Sequence, residues 1–278
     1  MATIQLSKFC ELYNQFEALQ IREAINYRQM NEALISHHST AIEGSSLTEE
    51  EVRLLLTEGL TAKGKPLSDH NMVQDHQAAL EMVVAMAKRK ECITPTMVQA
   101  IAAAVMRTTG SVIHAAAGTY DSSKGDWRKS AVSVGARYFT NYQSVEREVT
   151  ALCQELNKSN QEAKEVMDIY NLAFDAHFKL VSIHPFADGN GRTSRLLMNY
   201  ILAYHHLPLA MLYAEDKLDY YAALEKAREE DPANLQPVRD FLYGQQGKFF
   251  REEITKITAG STNTCVCSPA EKTENATI

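Results

Sequence analysis

Residues 161–195 read QEAKEVMDIYNLAFDAHFKLVSIHPFADGNGRTSR, and two kinds of order meet within them. From Gln161 to Val181, positions Val166, Ile169, Tyr170, Ala173, Phe174, His177, Leu180 and Val181 recur at steps of three and four, one apolar face of a helix. Pro185 ends that helix. A residue before proline is driven out of the right-handed helical region, so His184 caps the helix end on a loop. Gly189 and Gly191 flank Asn190 in a turn whose backbone can take positive φ and approach a ligand closely. A second helix then starts, with Arg192 and Arg195 three apart on one face of its first turn.

The helical period continues outward in both directions. It predicts further helices over 5–35, 69–89, 143–157, 192–204, 217–229 and 235–256. Thr48 followed by Glu51 is a capping box for a short helix ending near Gly59. Thr94 with Pro95 gives an N-cap and a first-turn proline for a helix running to about Met106. Only residues Trp127, Arg128, Lys129, Ser130, Ala131, Val132, Ser133 and Val134, between Gly125 and Gly135, alternate like a hairpin. A lone hairpin is marginal, so it must lie on the helical body. From Thr258 the chain is small and polar and reads as a disordered tail. The expected fold class is all-α with one short β-hairpin.

Composition narrows the function classes. A chain of 278 residues with 45% hydrophobic and 23% charged residues buries a core without disulfides, which excludes a mainly disordered or fibrous protein. No apolar run reaches the roughly 18 residues of a membrane span, and the N-terminus lacks a signal-peptide core. A net charge of −7 gives no overall attraction to nucleic acid or anionic lipid, so neither is expected as a partner. Five irregularly spaced cysteines form no disulfide framework and point to a reducing, cytoplasmic location. The pairs His37-His38 and His205-His206, and Cys265-Val266-Cys267, lack the spacing of a metal site.

The chemistry sits in residues 184–195. Backbone N–H groups of a glycine turn, a helix N-terminus and two guanidiniums on one side make an anion site matched to a polyphosphate. Cations are unfavourable at a helix N-terminus unless an anion compensates them, so the two arginines are not decoration. Asp188 offers a hard oxygen to Mg²⁺, and His184 could take a proton from an incoming hydroxyl. Base, metal ligand and phosphate cradle within twelve residues describe transfer of part of a nucleotide.

This string resembles the Fic (filamentation induced by cAMP) family, whose signature HxFx[D/E]GNGRxxR it matches at every fixed position. Eight fixed positions would coincide by chance with a probability on the order of 10⁻⁸ in a chain of this length. Leu196-Leu197-Met198-Asn199 continues as in the family's motif helix, and Gly125-Asp126-Trp127-Arg128 with Val132 and Val134 resembles its flap. Tyr220-Tyr221 falls where relatives carry aromatics near the adenine, with Tyr221 the adenine-side candidate. Two differences stand out. Phe139-Thr140-Asn141-Tyr142 lacks the proline pair common after family flaps, and Arg228 stands where close relatives often carry Asn.

The resemblance implies a Fic-type helical bundle and a protein adenylyltransferase moving AMP from ATP to a Tyr, Ser or Thr hydroxyl of a target protein or of itself. His184 would be the general base and Asp188 the ligand for Mg²⁺ or Mn²⁺. Asn190 with the Gly189 and Gly191 amides would surround the α-phosphate, and Arg192 and Arg195 would hold the outer phosphates. Residues 127–134 would line the groove for the target segment, added as a strand. A homodimer is also implied. Upstream, Ser39-Thr40-Ala41-Ile42-Glu43-Gly44 fits [S/T]xxxE[G/N], the inhibitory motif of autoinhibited members, with Glu43 expected to pair with Arg195. That pattern is loose, with roughly 0.2 chance matches per chain of this composition. The resulting division is 1–69, an N-terminal helical extension with the inhibitory motif; 70–245, the catalytic domain; and 246–278, a helix end and tail. Competing readings are a Fic-type enzyme using another nucleotide donor or removing AMP, and a non-catalytic nucleotide sensor.

Overall fold

A computed structural model describes residues 6–134, 137–229 and 233–262. The chain is all-α. In order come α1 (Leu6–Ala18), α2 (Tyr27–Ile42), α3 (Glu49–Glu58), α4 (Leu67–Lys88), α5 (Pro95–Val105), β1 (Val112–Ala115), β2 (Gly118–Asp121), β3 (Ser133–Val134), β4 (Arg137–Tyr138), α6 (Val145–Glu162), α7 (Val166–Ile183), α8 (Asn190–Tyr204), α9 (Lys217–Arg228) and α10 (Gln236–Thr262). No helix among the described residues is long and apolar enough to cross a membrane.

The centre is α8, in which twelve of fifteen residues are buried, as expected of a helix enclosed on all sides. It packs on α7 along their shared length and on α4, with α5 and α2 touching it as well. Around this pair α6 and α10 cover α7, α9 joins α10, and α1 docks on α10 through Phe9 and Phe16, which pack against Tyr243, Phe249 and Phe250. One hydrophobic core therefore runs from Phe9 to Phe250.

Local chemistry explains the helix ends. Thr48 accepts from the Glu51 amide at 3.3 Å while the Glu51 carboxylate accepts from the Thr48 amide at 2.8 Å, and Gly59 closes α3 at φ +70. Thr94 caps α5 at the Met97 amide ahead of Pro95. Several boundaries differ from the sequence reading. The stretch 5–35 is two helices, because the chain turns at Gln20 and Asn26, both left-handed, to bury Ile21. The helix expected from Gln161 begins at Val166, since Ala163–Glu165 is extended and separates α6 from α7. The last helix passes Thr258 and reaches Thr262. Cys265, Cys267 and the rest of the expected tail lie outside the described residues, as does Gly135.

The single expected hairpin becomes two. β1 and β2 pair antiparallel from Val112↔Asp121 to Ala115↔Gly118, a hairpin the sequence reading did not contain. In the flap Ser133–Val134 pairs with Arg137–Tyr138, and among the described residues only Val132 of 127–132 makes a main-chain bond across it, its carbonyl accepting from the Phe139 amide at 3.3 Å.

Three buried imidazoles make stability depend on acid. Burial drives His76 and His177 down to about 3 and His38 down to about 4. These folded values lie below the roughly 6.5 of an unfolded histidine, so the unfolded chain binds more protons at low pH. The contribution is complete above about pH 6.5 and is lost as pH falls toward the folded values, by up to about 1.4 kcal/mol per histidine per pH unit. The melting temperature should therefore drop between pH 7 and pH 5. An unchanged melting temperature over that interval would contradict three neutral buried imidazoles.

Candidate active site

The α7–α8 loop is built to hold its shape. His184 caps α7 at φ 53, ψ 60, the left-handed region, with its amide still donating to the Leu180 carbonyl at 3.1 Å. Asn190 staples the loop. Its Oδ1 accepts from the Phe186 amide and its Nδ2 donates to the Phe186 carbonyl, both at 2.9 Å. Its side-chain amide is thereby engaged inside the loop. Gly189, at φ +76, starts α8, and a side chain there would crowd Met106.

Two guanidiniums stand behind this turn in unlike states. Arg192 is 2% exposed, its Nη2 3.3 Å from the Met106 thioether and 3.6 Å from Asp188, and its Nε and Nη1 have no partner. Burial lowers its pKa. A buried cation with open donors is a binding site for an anion. Arg195 is 3% exposed and bonded to α2 through Nε and Nη2, while its Nη1 has no hydrogen-bond partner among the described residues. Its Nε donates to Ser39 Oγ at 2.9 Å, and its Nη2 donates to the Ser39 carbonyl at 2.9 Å and to Glu43 Oε1 at 2.6 Å. Burial alone would raise the Glu43 pKa, yet Arg195 holds it below the usual carboxylate range. Glu43 ends α2, Gly44 turns away at φ +105, and the carboxylate lies directly over Gly191, where a Cβ would strike it.

His184, Asp188, Asn190, Gly191, Arg195, Glu43 and Tyr221 line one cavity of about 540 Å³, together with Tyr220, Phe139 and Arg228. Of the aromatic pair Tyr220-Tyr221, the sequence makes Tyr221 the adenine-side candidate and gives Tyr220 no role of its own, yet the buried Tyr220 hydroxyl bonds His177 Nε2 at 3.0 Å and faces Arg195. Phe139 was noted only as a departure, and its ring stacks on the His184 imidazole at 4.0 Å. Aromatic residues just beyond the flap and the motif were the available signal for both. Arg228 donates to Ser182 Oγ and to Glu225, on the cavity wall. His184 Nδ1 faces the Val181 carbonyl at 3.3 Å, which assigns the proton to Nδ1 and the lone pair to Nε2. Burial lowers its pKa to about 4.

The flap residues divide between inside and outside. Lys129, Ala131 and Ser133 are exposed, and Val132 is half-buried. Trp127 stacks on Phe186 at 5.1 Å, Ser130 bonds the Tyr120 hydroxyl, and Lys129 donates to the Thr119 carbonyl, so β2 braces the flap. Arg128, expected to face a target, is instead buried.

A profile of the Fic/DOC family matches residues 92–202, a span that contains the α7–α8 loop and both guanidiniums. This chain belongs to the Fic/DOC family. Protein adenylyltransferase fic-1 of Caenorhabditis briggsae and of Caenorhabditis elegans are each 33% identical to it over 234 residues, which is 84% of this chain and 43% and 42% of theirs. Protein adenylyltransferase Fic of Nematostella vectensis is 32% identical over 207 residues, 73% of this chain and 45% of that one. The Fic/DOC chain thus spans less than half the length of these curated relatives. In fold it resembles a Fic domain containing signaling protein from Bacteroides thetaiotaomicron, with a TM-score of 0.76 at 22% identity over 91% of this chain and 98% of that one. A solved fragment of Caenorhabditis elegans Fic-1 gives a TM-score of 0.71 at 23% identity, over 91% of this chain and 73% of the fragment.

Proposed function

We propose that this chain is a nucleotidyltransferase, a protein adenylyltransferase that moves AMP from ATP to a Tyr, Ser or Thr hydroxyl of a target protein and of itself. The observation that carries this reading is the contrast between two buried arginines at the start of α8. Arg192 has two open nitrogens and no carboxylate hydrogen bond, whereas Arg195 keeps only Nη1 open and is bonded by the Glu43 carboxylate, in a cavity that Arg195 and the His184 imidazole both line. The relatives named protein adenylyltransferase support it.

In this reading the α-phosphate lies on the main-chain N–H groups of Asn190 and Gly191, the Gly189 N–H being held by Asp188, and the outer phosphates lie on Arg192 and Arg195. The target hydroxyl oxygen bonds to the α-phosphorus as the bond to the α–β bridging oxygen breaks, and pyrophosphate leaves with that electron pair. The hydroxyl proton passes to Nε2 of His184, which is neutral at pH 7 because burial disfavours the imidazolium. Most of the rate comes from fixing the three atoms in line.

Asp188 is the residue for Mg²⁺ or Mn²⁺. Its Oδ1 accepts from the Gly189 amide at 2.6 Å, and the carboxylate is largely exposed beside Arg192. No cluster of three or more His, Cys, Asp or Glu able to hold a metal occurs among the described residues, so Asp188 would be the carboxylate that the motif offers to the ion. When bound, the ion supplies charge neutralisation for the phosphates. Asp188→Ala should lose nearly all transfer, and the parent should stop in EDTA. Full activity of the parent in EDTA would contradict this assignment.

Glu43 is the brake, holding the guanidinium that the γ-phosphate needs. Residues 1–69 are then the extension carrying it, 70–245 the catalytic domain and 246–278 the terminal helix end and tail. A homodimer and a cytoplasmic location belong to the same reading, with no nucleic acid or membrane among the partners. A panel of nucleotides labelled at the α-phosphate tests the function. Label should enter the protein from ATP and not from UTP, and ATP labelled only at the γ-phosphate should transfer nothing. Label arriving from the γ-phosphate, or none from any donor in the Glu43→Gly variant, would overturn the reading.

A further inference from the structure

Arg128 is among the largest fully buried side chains, 1% exposed, and no carboxylate lies within ion-pair distance of it among the described residues. Its partners are main-chain carbonyls. Nε donates to the His184 carbonyl at 2.7 Å, Nη1 to the Ser130 carbonyl at 2.8 Å, and Nη2 to the Thr140 carbonyl. Its own amide donates to the Pro185 carbonyl at 3.0 Å. One residue thus joins the catalytic loop at two successive carbonyls and both roots of the flap.

We propose that Arg128 is the positioning residue for the base, a buried clamp that fixes His184 and the segment after β4 that carries Phe139 in one frame. Removing a guanidinium from water costs several kcal/mol, so the site exists only because three carbonyls meet its planar fork. His184 adopts φ 53, and a non-glycine residue keeps that conformation only where its surroundings determine it. The bond from Arg128 to the His184 carbonyl does so on the loop side. On the other side, Thr140 follows Phe139, whose ring stacks on the imidazole at 4.0 Å. Clamping Thr140 therefore sets the aromatic lid of the ring while clamping His184 sets its backbone. Lysine cannot substitute, because one ammonium nitrogen cannot reach three carbonyls spread around a plane.

The clamp also carries charge. The charged groups around His184 are Arg128 from the flap, Arg228 and Glu225 from α9, Glu43 at the end of α2, Arg195 from α8 and Asp188 of its own loop. Arg128 and Arg228 oppose protonation of the ring and Glu43 favours it. Removing the Arg128 charge should thus move the acid limb of kcat/KM to higher pH, whereas lysine should leave it near its parental position.

The inference rests on His184 being the base, and the test separates the two. In the Glu43→Gly protein, Arg128→Met and Arg128→Lys should each lower kcat at least thirtyfold while the ATP Kd changes less than threefold. Only Arg128→Met should displace the acid limb upward. A kcat within threefold of the parent, or ATP binding lost in step with transfer, would overturn the clamp. The Arg128 amide in the unsubstituted protein gives an independent readout should either variant not fold. It should exchange as slowly as amides of α8, and exchange at the rate of an open loop would equally overturn it. A silent His184→Ala beside a fully active Arg128→Met would remove this inference alone, whereas an active His184→Ala would remove the base assignment.

Discussion

Replacing Glu43 with Gly is expected to raise automodification with ATP at least tenfold. The Glu43 carboxylate bonds Arg195 Nη2 at 2.6 Å and lies over Gly191, so it occupies both the guanidinium and the space above the turn. One anion at a time can be served there. A partly buried charge-assisted bond is worth about 1.5–3 kcal/mol, roughly a 10- to 150-fold bias at 1.4 kcal/mol per decade. Ser39 would still hold Arg195 through its hydroxyl and carbonyl, so the guanidinium should stay in place once the carboxylate is gone. Labelling with ATP carrying radiolabel on the α-phosphate reads the effect. A folded Glu43→Gly protein no more active than the wild type would show that the ion pair is not the brake.

His184→Ala, made in the released protein, should abolish transfer while ATP binding survives. The imidazole lines the cavity from the α7 side, with Nε2 carrying the lone pair, and makes no bond to either motif arginine. Its removal takes away the proton acceptor and leaves the phosphate cradle, a loss of about 10²- to 10⁴-fold or more. Calorimetric ATP binding beside a transfer assay separates the two functions. Equal loss of both would make His184 a structural cap of α7 and nothing more.

The parts of the molecule governed by local chemistry were legible in the sequence. Pro185, Gly189 and the Arg192–Arg195 spacing located the turn between α7 and α8, and Thr48 with Glu51 gave a helix start that the structure reproduces atom for atom. The break between α1 and α2 was not legible, because residues 5–35 contain neither Gly nor Pro and the chain turns only to seat Ile21. The β1–β2 hairpin hid behind Ala115-Ala116-Ala117, a helix-favouring run that here makes the turn. The motif named both Arg192 and Arg195 but could not tell which of them a carboxylate of the chain already holds. Arg128 was read as a target-facing residue because nothing in residues 127–134 reveals that His184, 56 positions away, supplies its acceptor.

The most direct test is the intact mass of the Glu43→Gly protein after incubation with ATP and Mg²⁺, beside the wild type and the Glu43→Gly, His184→Ala double variant. The account predicts addition of whole adenylyl groups to the released protein, at most a trace on the wild type and none on the double variant. A released protein of unchanged mass, or equal adenylylation of the double variant, would contradict it.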